Sequence, residues 1–373
     1  MIHISEEKGM IILMNTPLLL ISFLKRAERY FPQKEIISRT APDVIHQFTY
    51  GEYAKRTRKL ASALSELGMT KGTKVGTFAW NTHRHLEAYF AIPCSGAILH
   101  TINIRLAPEH IVYIVNHAED EILLIDESLF PLVEPALTLL KTVKHVIVMG
   151  DSKEAPASNF PNVHSYEALL EAADEHFEFP EDLDENLPAG LCYTSATTGM
   201  PKGVVYTHRS IVLHSLALGL AESFGLKEND IALPIVPMFH VKAWGFPFAA
   251  VNFGVKQIMP GPMFTPALLL DLIEQYGVTI TAGVPTIWMG VLAEQEKLPR
   301  DLSSLRLVIS GGSASPKALI QAYTDKLGIN YVNAYGMTET SPLVTMSYPL
   351  STMNDYTKEE IDNLKVTQGL TVS

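Results

Sequence analysis

The chain has 373 residues, of which 47% are hydrophobic and 18% charged, as is typical of a globular protein of enzyme size with a large buried core. Its 40 acidic and 29 basic residues give a net charge of −11, which argues against nucleic acids and anionic membranes as main partners. Two cysteines, Cys94 and Cys192, form no disulfide framework or metal motif and indicate a reducing compartment.

The first apolar stretch, Met10–Leu24, is interpreted as part of a soluble protein. Polar residues and a proline interrupt it at 15–17, and basic residues follow at 25–26 with no small-residue cleavage site, which argues against a signal peptide. The stretch is also too short and too interrupted to span a bilayer, so no integral membrane segment is expected. A threonine followed by a proline is a typical helix start and predicts an amphipathic helix over Pro17–Tyr30. Residues 1–14 are predicted to be an N-terminal extension.

The rest of the chain predicts alternating strands and helices. A hairpin-like segment over Glu35–Tyr50 is followed by a helix to Leu67, which ends at Gly68. Short apolar runs separated by helical periodicity then predict strands at Lys74–Trp80, Ala97–Asn103, Glu121–Glu127 and His145–Asp151. After an acidic connector at Glu171–Glu185, a second series predicts strands at Ile231–Pro237, Gly254–Pro260, Val278–Val284, Leu305–Gly311 and Tyr331–Tyr335. This alternation predicts an α/β fold with two lobes and mostly parallel sheets.

A polar loop at Tyr193–Gly203 lies between two predicted strands, one ending at Tyr193 and one starting at Gly203. It contains four threonine or serine residues, two glycines and Lys202. Backbone N–H groups and hydroxyls in such a loop can surround phosphate oxygens while a lysine neutralises charge. The loop differs from the common P-loop because Pro201 precedes the lysine and a glycine follows it. A polar surface turn is the alternative.

Two further loops follow predicted strands, and the carboxyl ends of strands are where α/β sheets bind ligands. The segment Pro237–Gly245 contains His240, which can orient or polarise a carboxylate near neutral pH, and Trp244, which can form the wall of an apolar channel. Taken alone, this segment fits a histidine and a tryptophan packed in a core loop better. The pair Gly311-Gly312 allows a ligand to approach the backbone closely, and a tight strand-to-helix turn is the alternative.

The fourth loop, Asn333–Pro342, offers three useful side chains. Tyr335 presents an aromatic face for a flat base, and Thr338 can donate to a phosphate oxygen. Glu339 can hold Mg²⁺, which prefers oxygen ligands and usually bridges to substrate phosphates. The alternative is a capped turn with Glu339 on the surface.

In this order, the four segments resemble the adenylate-forming superfamily of acyl-CoA synthetases, firefly luciferase and peptide-synthetase adenylation domains. Tyr193–Gly203 is similar to the phosphate signature of that family, and Tyr335–Glu339 to its aromatic–Gly–x–Thr–Glu signature. The likeness is closest to medium- and long-chain fatty acyl-CoA synthetases, through the stretches Trp80–Glu87, His100–Leu106 and His240–Trp244. It runs from about Asn15 to the C-terminus.

The resemblance implies a two-step reaction. A fatty carboxylate attacks the α-phosphate of Mg·ATP to give acyl-AMP and pyrophosphate, and the thiol of coenzyme A then displaces AMP. ATP, Mg²⁺, coenzyme A and a fatty acid are therefore expected as cofactors and substrates, in a cytoplasmic protein. Enzymes of this kind often form homodimers, so a homodimer is expected as well. The fatty-acyl-type stretches disfavour an aryl or amino acid substrate.

The resemblance also implies roles by position. The residues expected to bind the phosphates of ATP are Thr194, Ser195, Ala196, Thr197, Thr198, Gly199 and Lys202. Those expected at the adenine or adenylate are Gly312, Asn333, Ala334, Tyr335, Gly336 and Thr338. Those expected at the acyl group are Val241, Trp244, Gly311 and Gly312, with Trp244 controlling access to the acyl tunnel. Direct parts in catalysis are expected for His240, Thr338, Glu339 and Lys202, and in placing Mg²⁺ for Thr194 and Glu339.

The sequence departs from the family pattern at Ala196, where the family has glycine. Glycine tolerates a positive φ and close ligand approach, and a methyl group restricts both. We therefore expect Ala196 to weaken adenylation.

The second departure concerns length. The expected adenylation domain spans 15–345, as two stacked and interwoven lobes (about 60–200, and about 15–60 with 205–345), and 346–373 is the start of a remainder. The family continues with a ribose-binding aspartate, a hinge and a small C-terminal domain that carries the adenylation lysine, and nothing after Pro342 matches these parts. The chain is thus expected to be the larger N-terminal part of a fatty acyl-CoA synthetase with impaired or partial catalysis. The alternatives are a non-catalytic remnant that binds nucleotide or fatty acid, and a ligase for another carboxylic acid.

Overall fold

Two β-sheets form the framework of the fold. The structure, a computed structural model, describes residues 16–194 and 200–372. The strands β1 to β16 are, in chain order, Glu35–Ala41, Val44–Thr49, Lys74–Phe78, Ile98–Thr101, Ile122–Asp126, His145–Met149, Val163–Ser165, Pro188–Tyr193, Gly203–Thr207, Ile231–Pro234, Lys256–Met259, Ile280–Gly283, Leu307–Ser310, Asn330–Gly336, Leu343–Met346 and Leu370–Thr371.

Helices connect most of these strands. The helices α1 to α12 are, in chain order, Ile21–Tyr30, Tyr50–Glu66, His83–Cys94, Pro108–Ala118, Phe130–Val133, Tyr166–Ala172, His208–Ala217, Phe246–Phe253, Pro266–Tyr276, Pro285–Lys297, Lys317–Gln321 and Lys358–Lys365. The start of α2 is fixed by a capping box, in which the Thr49 side chain accepts from the N–H of Glu52 and the Glu52 carboxylate accepts from the N–H of Thr49. No helix in the described part of the chain has both the length and the apolar character needed to cross a membrane.

The seven-stranded sheet has the order β7-β6-β5-β3-β4-β8-β9. All its neighbouring pairs are parallel except β8 and β9. Its inner strands are largely buried because both faces of the sheet are covered there, and every residue of β5 is buried. The sheet places β8 between β4 and β9, and Tyr193, the last residue of β8, is also the first residue of the polar loop.

The nine-stranded sheet has the order β16-β15-β14-β13-β12-β10-β11-β1-β2. It is parallel from β14 to β1 and antiparallel at both ends. Gly283 of β12 pairs with Ser310 of β13, which pairs with Asn333 of β14, so the carboxyl ends of three strands lie at one edge. That edge is where an α/β sheet positions ligand-binding loops.

The sheets pack through buried aromatic side chains. Helix α3, which follows β3 of the seven-stranded sheet, is buried at every position. Its Tyr89 and Phe90 contact Phe248 of α8, with ring centroids 4.9 and 5.5 Å apart. Because α8 precedes β11 of the other sheet, this aromatic contact joins helices that belong to the two sheets.

The predicted strands are all present, within a few residues of their expected ends, but the predicted start of the first helix is wrong. Helix α1 begins at Ile21 and not at Pro17. The N–H of Leu18 donates to Glu185 Oε2 at 2.7 Å, so a contact with the acidic connector replaces the expected first helical turn. The connector itself has no helix or strand from residue 173 to 187, as predicted, but Phe179 and Leu183 anchor it in the core.

Candidate functional site

The four predicted loops meet at one cavity of about 340 Å³. It lies where β8, β13 and β14 end, next to the loop that follows β10. The cavity is lined by Thr194, His240, Val241, Trp244, Gly311, Gly312, Ala334, Tyr335, Gly336, Met337, Thr338, Glu339, Pro342 and Leu343. Segments that are ambiguous when taken singly therefore contribute to a shared site.

Among the described residues, two predicted site residues do not line this cavity. Lys202 is exposed, and its backbone pairs with Thr194: the N–H of Thr194 donates to the Lys202 carbonyl at 3.0 Å, and the N–H of Lys202 donates to Thr194 Oγ1 at 3.2 Å. Asn333 is buried, and its amide donates to the carbonyl of Lys365 at 2.7 Å. The predicted phosphate-binding residues Ser195, Ala196, Thr197, Thr198 and Gly199 lie outside the described residues.

The loop after β10 contains a left-handed turn. The φ angles of Val241, Lys242, Ala243 and Trp244 are 46°, 51°, 50° and 57°, and Gly245 follows at 73°. Left-handed backbone costs about 1–2 kcal/mol for each residue other than glycine, so tertiary contacts must offset the strain. In a turn with three residues per repeat, residues i and i+3 share a side, and here Val241 and Trp244 both line the cavity.

Glycines make room for the Trp244 indole. A Cβ atom on Gly311 would lie 3.0 Å from Trp244 Cη2 and 2.8 Å from the carbonyl oxygen of Ala334. The next residue, Gly312, has a φ of +81°, a conformation that side chains rarely allow. The pair therefore allows the tryptophan ring and the backbone of β14 to lie close together at the cavity wall.

Asn81 holds the start of the same loop, a role that was not predicted from the sequence. Its Nδ2 donates to the carbonyls of Pro234 and Val236 at 2.8 and 2.9 Å, and its Oδ1 accepts from the N–H of Met238 at 2.7 Å. The side chain is buried, so it satisfies three backbone groups that have no access to water. Asn81 lies in the stretch Trp80–Glu87, which resembles fatty acyl-CoA synthetases, but that resemblance implied no role for Asn81 itself.

The surroundings of His240 favour the neutral form of its imidazole. Burial, with a contribution from the charge of Arg105, lowers the pKa of its imidazole below the usual value. A neutral imidazole has one nitrogen that donates and one that accepts, which suits it to orient a carboxylate.

A buried pair supports the residue that opens the polar loop. His100 Nδ1 lies 2.7 Å from Asp120 Oδ2, and both side chains are fully buried. Burial raises the pKa of Asp120, and the neighbouring His100 opposes that rise. The His100 ring packs on Tyr193 with centroids 5.1 Å apart, and Tyr193 Oη lies 2.7 Å from His117 Nδ1. Tyr193, whose burial raises its pKa to about 12, is therefore fixed on two sides.

Tyr206 connects the two sheets beside the cavity and was also missed. Its hydroxyl donates to the carbonyl of Thr338 at 2.5 Å. Thr338 begins a short turn that carries Glu339 into the cavity lining. Tyr206 lies just beyond the predicted phosphate loop, in strand β9. A tyrosine in a strand does not indicate from sequence alone that its hydroxyl reaches a distant carbonyl.

The cavity offers oxygen atoms that suit Mg²⁺. Thr194 and Glu339 both line it, and a magnesium ion bound with a nucleotide usually takes one or two protein oxygens and completes its coordination with phosphates and water. Across residues 16–194 and 200–372, no cluster of three or more His, Cys, Asp or Glu side chains could hold a metal by itself. The residues present thus fit a magnesium ion that arrives with phosphates.

Comparison with known proteins identifies the family. The profile of the AMP-binding enzyme family matches residues 24–371. The chain is 43% identical over 357 residues to a 3-methylmercaptopropionyl-CoA ligase of Ruegeria lacuscaerulensis, covering 96% of the chain and 66% of the relative. It is 44% identical over 360 residues to a long-chain-fatty-acid–CoA ligase of Thermus thermophilus, covering 96% of the chain and 64% of the relative. The chain thus spans about two thirds of the length of these curated relatives.

Solved structures agree on the fold. A long-chain-fatty-acid–CoA ligase of Archaeoglobus fulgidus superposes with a TM-score of 0.83 at 25% identity, covering 96% of the chain and 70% of that structure. The N-terminal domain of FACL13 from Mycobacterium tuberculosis superposes with a TM-score of 0.76 at 24% identity, covering 91% and 80%. The predicted α/β fold of an adenylate-forming N-terminal domain is confirmed, and the chain belongs to the family of AMP-binding enzymes.

Proposed function

We propose that the chain binds ATP and a carboxylic acid and joins them into an acyl-adenylate, which an acyl-CoA ligase then converts to a thioester of coenzyme A. The observation that carries this proposal is the convergence of the four loops on one cavity. Membership of the AMP-binding family and the CoA ligases among the relatives support it.

In the proposed first step, a carboxylate oxygen forms a bond to the α-phosphorus of ATP. The bond from that phosphorus to the oxygen bridging to the β-phosphate breaks, and pyrophosphate leaves with the electron pair. Thr194 and Thr338 offer hydroxyls to the phosphates, and the neutral imidazole of His240 orients the carboxylate. Thr194 and Glu339 would hold a magnesium ion, which would neutralise part of the charge on the departing pyrophosphate.

In this proposal the adenine and the acyl group contact different residues of the cavity lining. Ala334, Tyr335 and Gly336 form the end of β14, and the partly exposed ring of Tyr335 offers a face on which a flat base can stack. Val241 and Trp244 provide apolar surface for the acyl chain beside Gly311. We assign Lys202 and the loop residues 195–199 to the phosphates, and Asn333 to support of the adenine end.

We propose a fatty acid as the carboxylic substrate, because Val241 and Trp244 give the cavity an apolar wall and Glu339, the one carboxylate among the lining residues of the described chain, is assigned to Mg²⁺. A ligase for a different small carboxylic acid is the second candidate. It is favoured by the relative from Ruegeria, whose name refers to 3-methylmercaptopropionate. A panel of acids of increasing length separates these two candidates.

We also propose a cytoplasmic location and a homodimer. Both cysteines are free and buried, which fits a reducing compartment. Cell fractionation and light scattering of the purified chain measure these two properties directly.

The test of the function is acid-dependent exchange of labelled pyrophosphate into ATP. We expect exchange that needs both Mg²⁺ and a carboxylic acid, and a loss of about 100-fold or more in Glu339→Gln. The matched control is Glu359→Gln at an exposed position of α12, which should keep the native rate. Binding of ATP without exchange for any acid would reject the proposal in favour of a non-catalytic binding protein.

A further inference from the structure

Lys242 is a buried amine with no carboxylate partner among the described residues. Its Nζ lies 3.1 Å from the carbonyl oxygen of Leu191, 3.2 Å from Cys192 Sγ and 3.5 Å from the carbonyl oxygen of Leu99. The same nitrogen lies 5.3 Å from the centre of the Tyr206 ring. A buried amine is costly unless hydrogen bonds satisfy it, and here strand β8 supplies its closest partners.

Strand β8 has a groove that accepts the side chain of Lys242. A Cβ atom on Gly190 would lie 2.3 Å from Lys242 Cε and 3.0 Å from its Nζ. The lysine stem therefore occupies the space that any other residue at position 190 would fill. Burial lowers the pKa of Lys242, and the neighbouring Cys192 opposes that change, so the amine loses its proton more readily than one in water.

The contacts of Lys242 join three parts of the site. The residue lies within the left-handed turn, between Val241 and Trp244, which both line the cavity. Its partners on β8 come just before Tyr193 and Thr194, the first two residues of the polar loop. Its aromatic neighbour Tyr206 donates to the carbonyl of Thr338. Lys242 does not line the cavity, so it acts on the site only through these neighbours.

We propose that Lys242 is a positioning residue: through its bonds to β8 it holds the left-handed turn so that Val241 and Trp244 face the cavity at a fixed distance from the phosphate loop. The proposal rests on the acyl and phosphate sites proposed above, and it adds the coupling between them. The strain of four consecutive residues with positive φ explains why such a link is needed.

Fluorine NMR of the chain labelled with 5-fluorotryptophan tests the position of the turn directly. The chain has three tryptophans, so Trp80, Trp244 and Trp288 give three resonances, each assigned by a change to phenylalanine. Lys242→Met keeps the stem and removes the amine, and we expect it to shift or broaden the Trp244 resonance alone. Lys242→Gln keeps a neutral donor and should restore part of the native signal.

The control is Tyr323→Phe, which removes a buried hydrogen bond from Tyr323 Oη to the carbonyl of Trp288 at 2.9 Å. It should change the Trp288 resonance and leave that of Trp244 in place. A Trp244 resonance that is the same in Lys242→Met, Lys242→Gln and the native chain would overturn the proposal. If Lys242→Met does not fold, Gly190→Ala gives the second variant, because its methyl group displaces the same stem.

Calorimetric binding separates this inference from the proposed function. The probes are ATP and a 5′-O-(acylsulfamoyl)adenosine, a stable mimic of the acyl-adenylate. We expect Lys242→Met to weaken binding of the mimic about tenfold and that of ATP by much less, because the turn carries the acyl side of the site. Gly190→Ala should have the same effect, and the double variant should add little to either single change.

The outcomes are distinguishable. If the native chain binds neither probe, the proposed function fails, and the fluorine spectra still decide the role of Lys242. If the native chain binds both probes and Lys242→Met binds the mimic equally well, the inference fails and the proposed function stands.

Discussion

Ala196 places a methyl group in the polar loop at a position where the family pattern has glycine. If the position needs a left-handed backbone, alanine costs roughly 1–2 kcal/mol, so we expect Ala196→Gly to improve ATP use about tenfold, as a lower KM for ATP or a higher kcat. Steady-state kinetics of pyrophosphate exchange measure both values. The control Ala155→Gly changes an exposed loop and should leave both values alone. Unchanged KM and kcat in Ala196→Gly would refute the idea.

Gly311 is a residue at which the structure makes a sharp prediction. In Gly311→Ala the new methyl group would lie 2.8 Å from the Ala334 carbonyl and 3.0 Å from the Trp244 ring, so one of them must move. We expect weaker binding of the acyl-adenylate mimic by about tenfold or more, together with a lower melting temperature. Gly290→Ala, within α10, is the matched control because its methyl group meets only the Pro266 side chain, at 3.1 Å. Equal affinities of Gly311→Ala and the native chain would show that the indole has room to move.

At the scale of elements, Asn81 decides how the loop after β10 is held. Asn81→Ala would remove the side-chain bonds to two buried carbonyls and one buried N–H. Each unsatisfied group costs about 1–3 kcal/mol, and allowing for relaxation we expect the free energy of unfolding to fall by about 2–4 kcal/mol. Urea unfolding measures this change, and the KM for the carboxylic acid should rise in parallel because the loop carries Val241 and Trp244. Asn186→Ala, at an exposed bend, serves as the control, and an equal loss in both variants would contradict the role of Asn81.

The strands were predictable because each is a short apolar run bounded by turn residues, buried on both faces of a parallel sheet. The start of α1 was not, since the local signal of Thr16 and Pro17 yielded to a bond between Leu18 and Glu185, which lies 167 positions away. The pairing of β1 with β11 was not predictable either, because more than 200 residues separate the two strands in the chain. Short antiparallel additions such as β15 and β16 carry too few residues for a periodic pattern.

The sequence was enough to predict which loops form the site, but not their backbone conformations or their contacts. The rule that ligands bind at strand ends was enough to expect the four segments to converge. The left-handed turn was not predictable, because valine, lysine and tryptophan all disfavour positive φ and only tertiary contacts hold them there. A lysine alone in an otherwise apolar run was the available sign that Lys242 is buried. The individual ligand roles and the domain boundaries at 15–345 and 346–373 stay predictions.

At the scale of the whole molecule, buried histidines contribute to the loss of stability in acid. Burial lowers the pKa values of His208 and His214 to about 4, and each ring accepts a hydrogen bond from a backbone N–H, of Leu20 and Leu343 respectively. Because unfolded histidine titrates near a pKa of about 6.5, the unfolded chain binds more protons between that pH and pH 4. The contribution of these two neutral histidines to the free energy of unfolding is therefore complete above pH ~6.5, and it is lost as the pH falls towards about 4.

The variant that isolates one histidine is His208→Gln, which removes a titrating group and keeps an acceptor. We expect the free energy of unfolding to fall less steeply with acid, by up to about 1.4 kcal/mol per pH unit. Urea unfolding at several pH values from 4 to 7 measures the slope, and data above pH 7, where both chains lack the charge, provide the reference. Identical slopes in the variant and the native chain would rule out His208 as a source of acid sensitivity.

The hydrogen bond from Tyr206 to Thr338 joins the seven-stranded sheet to the nine-stranded sheet at the cavity. Tyr206→Phe keeps the ring and leaves the Thr338 carbonyl without this donor, so we expect a modest loss of about 1 kcal/mol in the free energy of unfolding. A larger effect should appear in ligand binding, because the turn that carries Glu339 is no longer fixed to β9. The exposed Tyr356→Phe is the control for removal of a tyrosine hydroxyl. If Tyr206→Phe lost stability but kept native affinity for ATP and for the acyl-adenylate mimic, the bond would serve the fold alone, and the link between the sheets would have no part in placing the nucleotide.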